Sequence, residues 1–535
     1  MRSILSTIIV ILFYLTSNAQ IPALIPRPVK MELNHEDGKF SLSDNTTLLI
    51  SDAKLKPSAD FLSDYLLKYY RIVLHALPYF GNEKKTNAIL LNRKAGPGAN
   101  PEEYQLIAGS KQIEISAFTE EGIFYGIQTL IQLLPTKPSV ERQLNIPALK
   151  INDHPRFAYR GMHLDVSRHF FDIAFIKKYI DYLAIHKLNY FHWHLTDDHG
   201  WRIEIKKHPK LTDIGAWRNG TIIGLYPGKG NDRLRYGGYY TQEEVKAVVE
   251  YAAERYITII PEIEMPGHSM AVLAAYPELG TTPKKQYEVA QTWGIFNKFN
   301  NVLQPTEQTF RFLEEVLTEV ADLFPSPFIH IGGDECAKIW WKQSAVSQHI
   351  IKQKGLKDEN GLQSYLIRRV EKFVNSKGKT IIGWDEILDG GLAPNAIVMS
   401  WRGEKGGIAA AKQKHKVIMT PENFMYFNHA QFLKEDSLTA TRYVPLKTVY
   451  DYEPVPALLT PQESHYIWGA QGNLWSEYIS NPFLAEYMLF PRLDALSEIL
   501  WSPKAGKDFN DFQKRLEFQF QRYDLMKVNY PRRYL

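Results

Sequence analysis

The 535-residue sequence contains one cysteine, Cys336. An intrachain disulfide is therefore excluded, and so is any fold that depends on disulfides for stability. Charge of one sign is missing too. With 63 basic and 59 acidic residues the net charge is +4, spread evenly along the chain. That balance argues against a surface built for nucleic acid or for an anionic membrane. Beyond the N-terminus no run is apolar enough to span a bilayer, so no membrane span is expected.

The N-terminus does carry a short apolar run. Arg2 precedes it, and Ser17-Asn18-Ala19 places small residues at the −3 and −1 positions. This pattern predicts a secretory signal peptide over residues 1–19, cut after Ala19. The run is too short for a membrane anchor, and no cysteine at the cleavage point could take a lipid. A soluble exported protein, periplasmic or extracellular, is expected. The remaining composition, 44% hydrophobic and 23% charged, is that of a globular chain of about two to four domains. Aromatics reach 13%, with 11 Trp and 30 Tyr, which suits stacking on sugars or other flat ligands.

Residues 20–150 show short alternating apolar runs and two segments of helical spacing, at 58–70 and 120–134. They predict a small α+β domain with a mostly antiparallel sheet, joined through a connector at 146–155 to a second, larger region over 151–505. There the pattern changes to strand, polar loop and amphipathic helix, repeated. Strand candidates fall at 159–166, 188–195, 257–263, 328–331, 380–384, 396–401, 417–420 and 466–474. Asp172 can cap one intervening helix, and Thr241-Gln-Glu-Glu244 is a capping box for another. Eight strands alternating with helices predict an α/β fold, a (β/α)8 TIM barrel; a doubly wound open sheet is the alternative. Residues 506–535 read as a helical extension, and the loops 214–240 and 277–305 are long enough to be lids or subsite walls.

In a barrel, chemistry sits at the C-terminal ends of the strands. The first end offers Arg168, the second His192-Trp-His194 with Asp197, and the third Glu262-Ile-Glu264 with His268. The fourth is Phe328-Ile-His-Ile-Gly-Gly-Asp334-Glu335-Cys336. Trp384, Trp401, Tyr426, Trp475 and Glu477 follow at the later ends. Taken singly, each Trp suits core packing and Gly-Gly-Asp-Glu suits a turn. Two mechanisms compete for the whole set. His192-x-His194 has the spacing of a metal pair, but the later strand ends offer Trp and Tyr in place of further ligands. Glycoside hydrolysis needs a carboxylic acid, a group facing a cationic transition state and aromatic walls for the sugar. Cys336, beside Glu335, is a candidate nucleophile or a small packed residue.

The motifs Arg160-Gly-Met-His-Leu-Asp-Val-Ser-Arg-His-Phe170, Phe191-His-Trp-His-Leu-Thr-Asp-Asp198, Pro266-Gly-His268, His330-Ile-Gly-Gly-Asp-Glu335, Gly383-Trp-Asp-Glu386, Ser400-Trp-Arg402 and Gly472-Asn-Leu-Trp-Ser-Glu477 occur in this order. With them the chain resembles the β-N-acetylhexosaminidases of glycoside hydrolase family 20. The resemblance implies exo-hydrolysis of terminal β-linked N-acetylhexosamine with retention, the substrate's acetamido oxygen acting as nucleophile. Glu335 would be the general acid and then base; Asp334 would hold the acetamido N–H and face the developing cation. Tyr426 would bind the acetamido oxygen, and Trp384, Trp401 and Trp475 would box the sugar. Arg168 and Glu477 would clamp its distal hydroxyls, with Asp197 and His268 supporting the acidic pair. No metal and no cofactor are expected, and the partner is a carbohydrate. Asn428 stands where the family often has Asp, which suggests tolerance of a 6-sulfated sugar. The alternatives are a disaccharide-releasing enzyme of the lacto-N-biosidase kind, a metal-dependent hydrolase and a sugar-binding protein without catalysis.

Overall fold

The computed structural model describes residues 22–34, 36–81, 86–98, 100–137, 142–293, 300–435 and 438–534. The expected signal peptide lies outside them. Eight parallel strands close into a barrel in sequence order. They are β1 Tyr159–Asp165, β2 Tyr190–His194, β3 Thr258–Met265, β4 Phe328–Gly332, β5 Thr380–Trp384, β6 Ile397–Ser400, β7 Val417–Met419 and β8 Ile467–Gly472. Pairing of Tyr159 with Gly469 joins β8 to β1 and shuts the cylinder, which eliminates the open-sheet alternative. Both faces of each strand are covered, by helices outside and side chains inside, so the strands are buried almost throughout, polar residues included; every residue of β1 is buried, Arg160, His163 and Asp165 among them.

The helices start where the sequence indicates. The Asp172 carboxylate accepts the Phe175 N–H and opens helix Ile173–Ile185. The Thr241/Glu244 capping box is formed and opens Gln242–Ala253. Helix Glu307–Leu323 turns Phe310, Leu313, Val316, Leu317 and Val320 inward, the stripe expected of an outer-ring helix.

Before the barrel lies a seven-stranded sheet, and it is mixed, not mostly antiparallel. Thr47–Ile50 pairs in parallel with both Ala76–Pro78 and Ala88–Arg93, and the latter runs parallel to Gln112–Ala117. Helix Lys56–Tyr70 crosses over between Thr47–Ile50 and Ala76–Pro78, and a helical crossover forces a parallel pair. The expected connector at 146–155 is also corrected. Leu149–Asp153 is a strand of this sheet, paired antiparallel with Lys30–Leu33 and Tyr104–Ala108. Its alternation of buried and exposed residues spans only five positions, too few to stand out in the sequence.

Buried ion pairs join this sheet to the base of the barrel. The fully buried Arg160 guanidinium on β1 donates to Glu102, to the Tyr125 hydroxyl and to the carbonyls of Phe157 and Lys187. Lys187 Nζ meets Asp153 at 3.1 Å, and the Trp501 indole donates to the same carboxylate. Helix Phe509–Met526 braces the junction: Arg522 donates to the carbonyls of Ala23 and Gln132.

Candidate active site

Strand β4 ends in two glycines in left-handed conformation, Gly332 at φ 64° and Gly333 at φ 93°. A Cβ on Gly332 would fall 1.8 Å from a carboxyl oxygen of Glu264, so any other residue would have to displace that carboxyl group and also accept a left-handed backbone. The turn presents Asp334 and Glu335 side by side with unequal exposure, 11% against 31% of the side chain. Glu335 itself is left-handed at φ 42°, as is His268 at φ 46°. Such strain in non-glycine residues persists only where the surroundings impose it, commonly at functional sites. His268 Nε2 lies 3.5 Å from Asp334 Oδ2 and 3.4 Å from Glu335 Oε2. Its Nδ1 faces Asp197 at 3.4 Å and Asp198 at 3.3 Å. Burial opposes a charge on this ring, but Asp197 and Asp334 outweigh it and hold His268 well above the usual histidine range. Burial in turn pushes Asp334 up to about 7, with His268 pulling the other way.

Asp197 joins the acidic pair to the rest of the rim. It binds Arg168 at 2.9 Å and His194 Nε2 at 2.9 Å. Arg168 is also held by Asp165 and lies over the Trp475 ring at 5.0 Å. Glu477, next to it electrostatically, is pushed up by burial and pulled down by Arg168. The aromatic residues expected at separate strand ends come together. Trp384 and Trp475 lie 5.8 Å apart, Tyr426 and Trp475 6.1 Å, and Trp401 stacks on Tyr426 at 6.2 Å and 17°. The Trp384 indole donates to Glu262 at 2.8 Å and the Trp401 indole to Glu386 at 2.9 Å, which fixes both ring planes. Asn428 is buried on the turn after Tyr426. Its Oδ1 has no partner among the described residues, and Arg492 holds the turn through the carbonyls of Phe427 and His429.

The two long loops pack behind Arg168 and Glu477. Arg218 donates to the Arg168 carbonyl at 2.7 Å, the Tyr236 hydroxyl accepts from Phe170, and the Tyr478 hydroxyl accepts the Tyr226 N–H. Trp293 of the second loop lies 5.6 Å from His169 and 4.9 Å from His199.

His192, His194 and His330 all turn to Glu262 in the barrel interior, His192 Nε2 at 3.0 Å and His330 Nδ1 at 2.8 Å. Burial would raise Glu262, but the imidazoles outweigh it and keep it well below the usual carboxylate range. Side-chain donor atoms come within 4.8 Å of one another in four clusters of the described residues, His163/His194/Glu262, His192/Glu262/His330, His194/Asp197/Glu264 and Asp197/Asp198/His268, and no one of them contains both His192 and His194. One nitrogen of each ring faces the carboxylate; of the others, His192 Nδ1 meets Gln471, His194 Nε2 meets Asp197, and His330 Nε2 has no hydrogen-bond partner among the described residues. Cys336 packs with Val302, Trp341 and Leu362, and burial lifts its thiol to about 12, which keeps it un-ionised and poorly nucleophilic.

Residues given no role from the sequence also sit here. Burial pushes Glu386 up to about 8, with Asp334 adding to it. Glu264 is buried beside Gly332. Glu264 was signalled only by a place at a strand end, which many structural carboxylates share, and Glu386 by that and by its place in Gly383-Trp-Asp-Glu386.

The family model "Glycosyl hydrolase family 20, catalytic domain" matches residues 157–504, and "Glycosyl hydrolase family 20, domain 2" matches residues 21–154. A beta-hexosaminidase of Porphyromonas gingivalis is 43% identical over 94% of this chain and 64% of its own length. A beta-N-acetylhexosaminidase of Cellulomonas fimi is 30% identical over 92% of each chain. The crystal structure of a GH20 exo β-N-acetylglucosaminidase from Vibrio harveyi, in complex with N-acetylglucosamine, superposes with a TM-score of 0.85 at 34% identity. It covers 96% of this chain and 78% of that one. The closed barrel, the preceding domain and the rim they support place this chain in glycoside hydrolase family 20.

Proposed function

We infer that the chain is an exo-acting β-N-acetylhexosaminidase that removes terminal β-linked N-acetylhexosamine with retention of configuration. The observation that carries the reading is the unequal burial of two adjacent carboxyl groups on a rim that also carries an aromatic cluster. Asp334 is enclosed beside His268 and within electrostatic reach of Tyr426, which packs with Trp384 and Trp475, while Glu335 is more open to solvent. Neighbouring acids in different surroundings divide the labour. The buried one suits a cationic centre and an amide N–H; the open one can exchange protons with the aglycone and then with water. In the first step the acetamido oxygen attacks the anomeric carbon, the glycosidic bond breaks, and Glu335 protonates the departing oxygen. In the second, water attacks the same carbon, Glu335 takes its proton, and the oxazolinium ring reopens to the acetamide. Two inversions give retention, and no enzyme atom bonds to the sugar.

Tyr426 is the proposed partner of the acetamido oxygen. Trp384, Trp401 and Trp475 form the box, Arg168 and Glu477 the clamp on the distal hydroxyls, and Asp197 and His268 the support of the pair. A clamp of Arg168 and Glu477 on the distal hydroxyls of one terminal sugar favours removal of a single sugar over a disaccharide, and the loops packed against Arg168 and Tyr478 hold that clamp in place. Export as a soluble protein rests on the N-terminal pattern of residues 1–19. Among the described residues no helix is long and apolar enough to cross a membrane.

Substrate assistance requires the acetamido group. Aryl β-N-acetylglucosaminide is expected to turn over at least ~10³-fold faster than the aryl β-glucoside, because an intramolecular nucleophile has a large effective molarity. A thiazoline mimic of the cyclic intermediate should bind far more tightly than the substrate. Comparable glucoside cleavage would eliminate the mechanism. A second comparison concerns Asn428. An amide there lacks the negative charge an aspartate would have, so 6-sulfated aryl substrate is expected to lose at least ~10-fold in kcat/KM on Asn428→Asp, while the unsulfated one changes little. Equal effects on both substrates would remove the charge argument.

A further inference from the structure

The end of β3 carries a carboxyl group that the chemistry above leaves unused. Glu262 pairs with His330 and Met265 with Gly332, so three steps along β3 answer two along β4. A bulge of this kind re-aims side chains at a barrel rim. Here the Glu264 carboxyl lies so close to the Gly332 backbone that any Cβ would collide with it. Glu264 is 2% exposed, and both its oxygens are buried without a hydrogen-bond partner among the described residues. Oδ1 of Asp334 is in the same condition, two residues beyond Gly332.

A carboxylate buried without a partner is costly, and two ionised carboxylates in one buried site are costlier still. One proton between them removes both penalties. We propose that Glu264 is a positioning residue for Asp334: it retains a proton on its own carboxyl group and donates that proton, in a hydrogen bond, to the Asp334 carboxylate. The pair then holds one proton and one negative charge. The proton stays on Glu264 through the cycle, and no bond to carbon is made or broken there. Asp334 is left with its full charge and one oxygen free to meet the acetamido N–H. The inference rests on the reading of Asp334 as the ionised partner of the acetamido group.

The electrostatic surroundings agree. Burial, reinforced by Asp334 as the strongest neighbouring charge and then by Glu262, holds Glu264 well above the usual carboxylate range. The other groups facing the pair are His194, which lies within 4.8 Å of Glu264 and Asp197, and His268, Asp197, Glu335, Glu386 and Tyr426. Of these His268 favours the anion at both carboxyls, and the three acids oppose it at Asp334, Glu264 or both.

The test is the pH dependence of kcat/KM, which reports the free enzyme, for wild type, Glu264→Gln and Glu264→Leu. Losing a donor to a carboxylate raises its pKa, so activity should be lost at higher pH on acidification. The acid limb is expected lowest in wild type and higher by about half a unit or more with the weaker amide donor of Glu264→Gln. It should be highest in Glu264→Leu. At the optimum, Glu264→Gln should stay within about threefold of wild-type kcat, and Glu264→Leu should fall about 10- to 100-fold, the worth of a hydrogen bond to a charged group. An acid limb of Glu264→Gln at or below that of wild type overturns the proposal, and that variant decides alone should Glu264→Leu not fold. Asp334→Asn, assayed in parallel, separates the two levels. If it keeps full rate and full preference for the acetamido sugar, the underlying reading fails. If it loses them while the Glu264→Gln limb stays in place, only the present inference fails.

Discussion

Replacing Glu335 by glutamine is expected to lower kcat on alkyl and oligosaccharide substrates by about 10²- to 10⁴-fold, the usual contribution of a positioned acid–base group. The amide fills the same volume and can still contact His268, so binding should change little and the loss should fall on kcat. The size of the loss should follow the leaving group. An aglycone that departs readily as an anion needs little protonation, so an aryl substrate with a very acidic phenol should lose far less in its first step than an alkyl one. The second step still needs a base for water, so some loss persists for every substrate. This graded response separates an acid–base role from misfolding, which would reduce all substrates equally. A kcat within about threefold of wild type on an alkyl glycoside would remove Glu335 from the mechanism.

The second large effect concerns stability. Glu102→Ala strips the principal anionic partner from a guanidinium with no solvent exposure, that of Arg160. Breaking a buried pair on one side typically costs about 3–5 kcal/mol, because a buried charge is left uncompensated. The hydrogen bonds from Arg160 to Tyr125 and to two carbonyls remain but supply no countercharge. The urea midpoint is therefore expected to fall clearly, while the protein that remains folded keeps wild-type kcat, since Arg160 lies at the opposite end of β1 from Arg168. Replacing both partners by apolar residues, Glu102→Leu with Arg160→Met, should recover much of the loss, because the cost comes from an unpaired charge and not from missing attraction. An unchanged midpoint in Glu102→Ala would show that the preceding domain contributes no countercharge to the barrel base.

The barrel strands and the positions of the rim residues were legible from the sequence. Apolar runs, capping residues and turn glycines are local signals, carried by a few adjacent positions. Thr241 with Glu244 announces a helix start wherever the chain lies, and 380–384 reads as a strand before its neighbours are known. The first domain was less legible. Its sheet is mixed because a helical crossover sets strand direction, and its last strand is too short to show an alternation. Strand direction and pairing involve partners far apart in the chain, and no window of sequence contains them.

The sequence by itself determined which residue types reach the rim, and the order of the motifs determined the family. Only the tertiary structure decided what those residues are chemically. Asp334 and Glu335 are adjacent acids of nearly equal intrinsic strength, and in the sequence only the family resemblance, not any physical property of the two, assigns them different work. Closure of β8 onto β1 brings Trp475 against Trp384 and Arg168, and the pairing of β3 with β4 sets Asp334 beside His268 with Glu335 more open. The bulge in β3 sets Glu264 among the same carboxyl groups. Protonation state and reactivity depend on burial and on charges contributed by several strands at once, and those sums exist only in the folded chain.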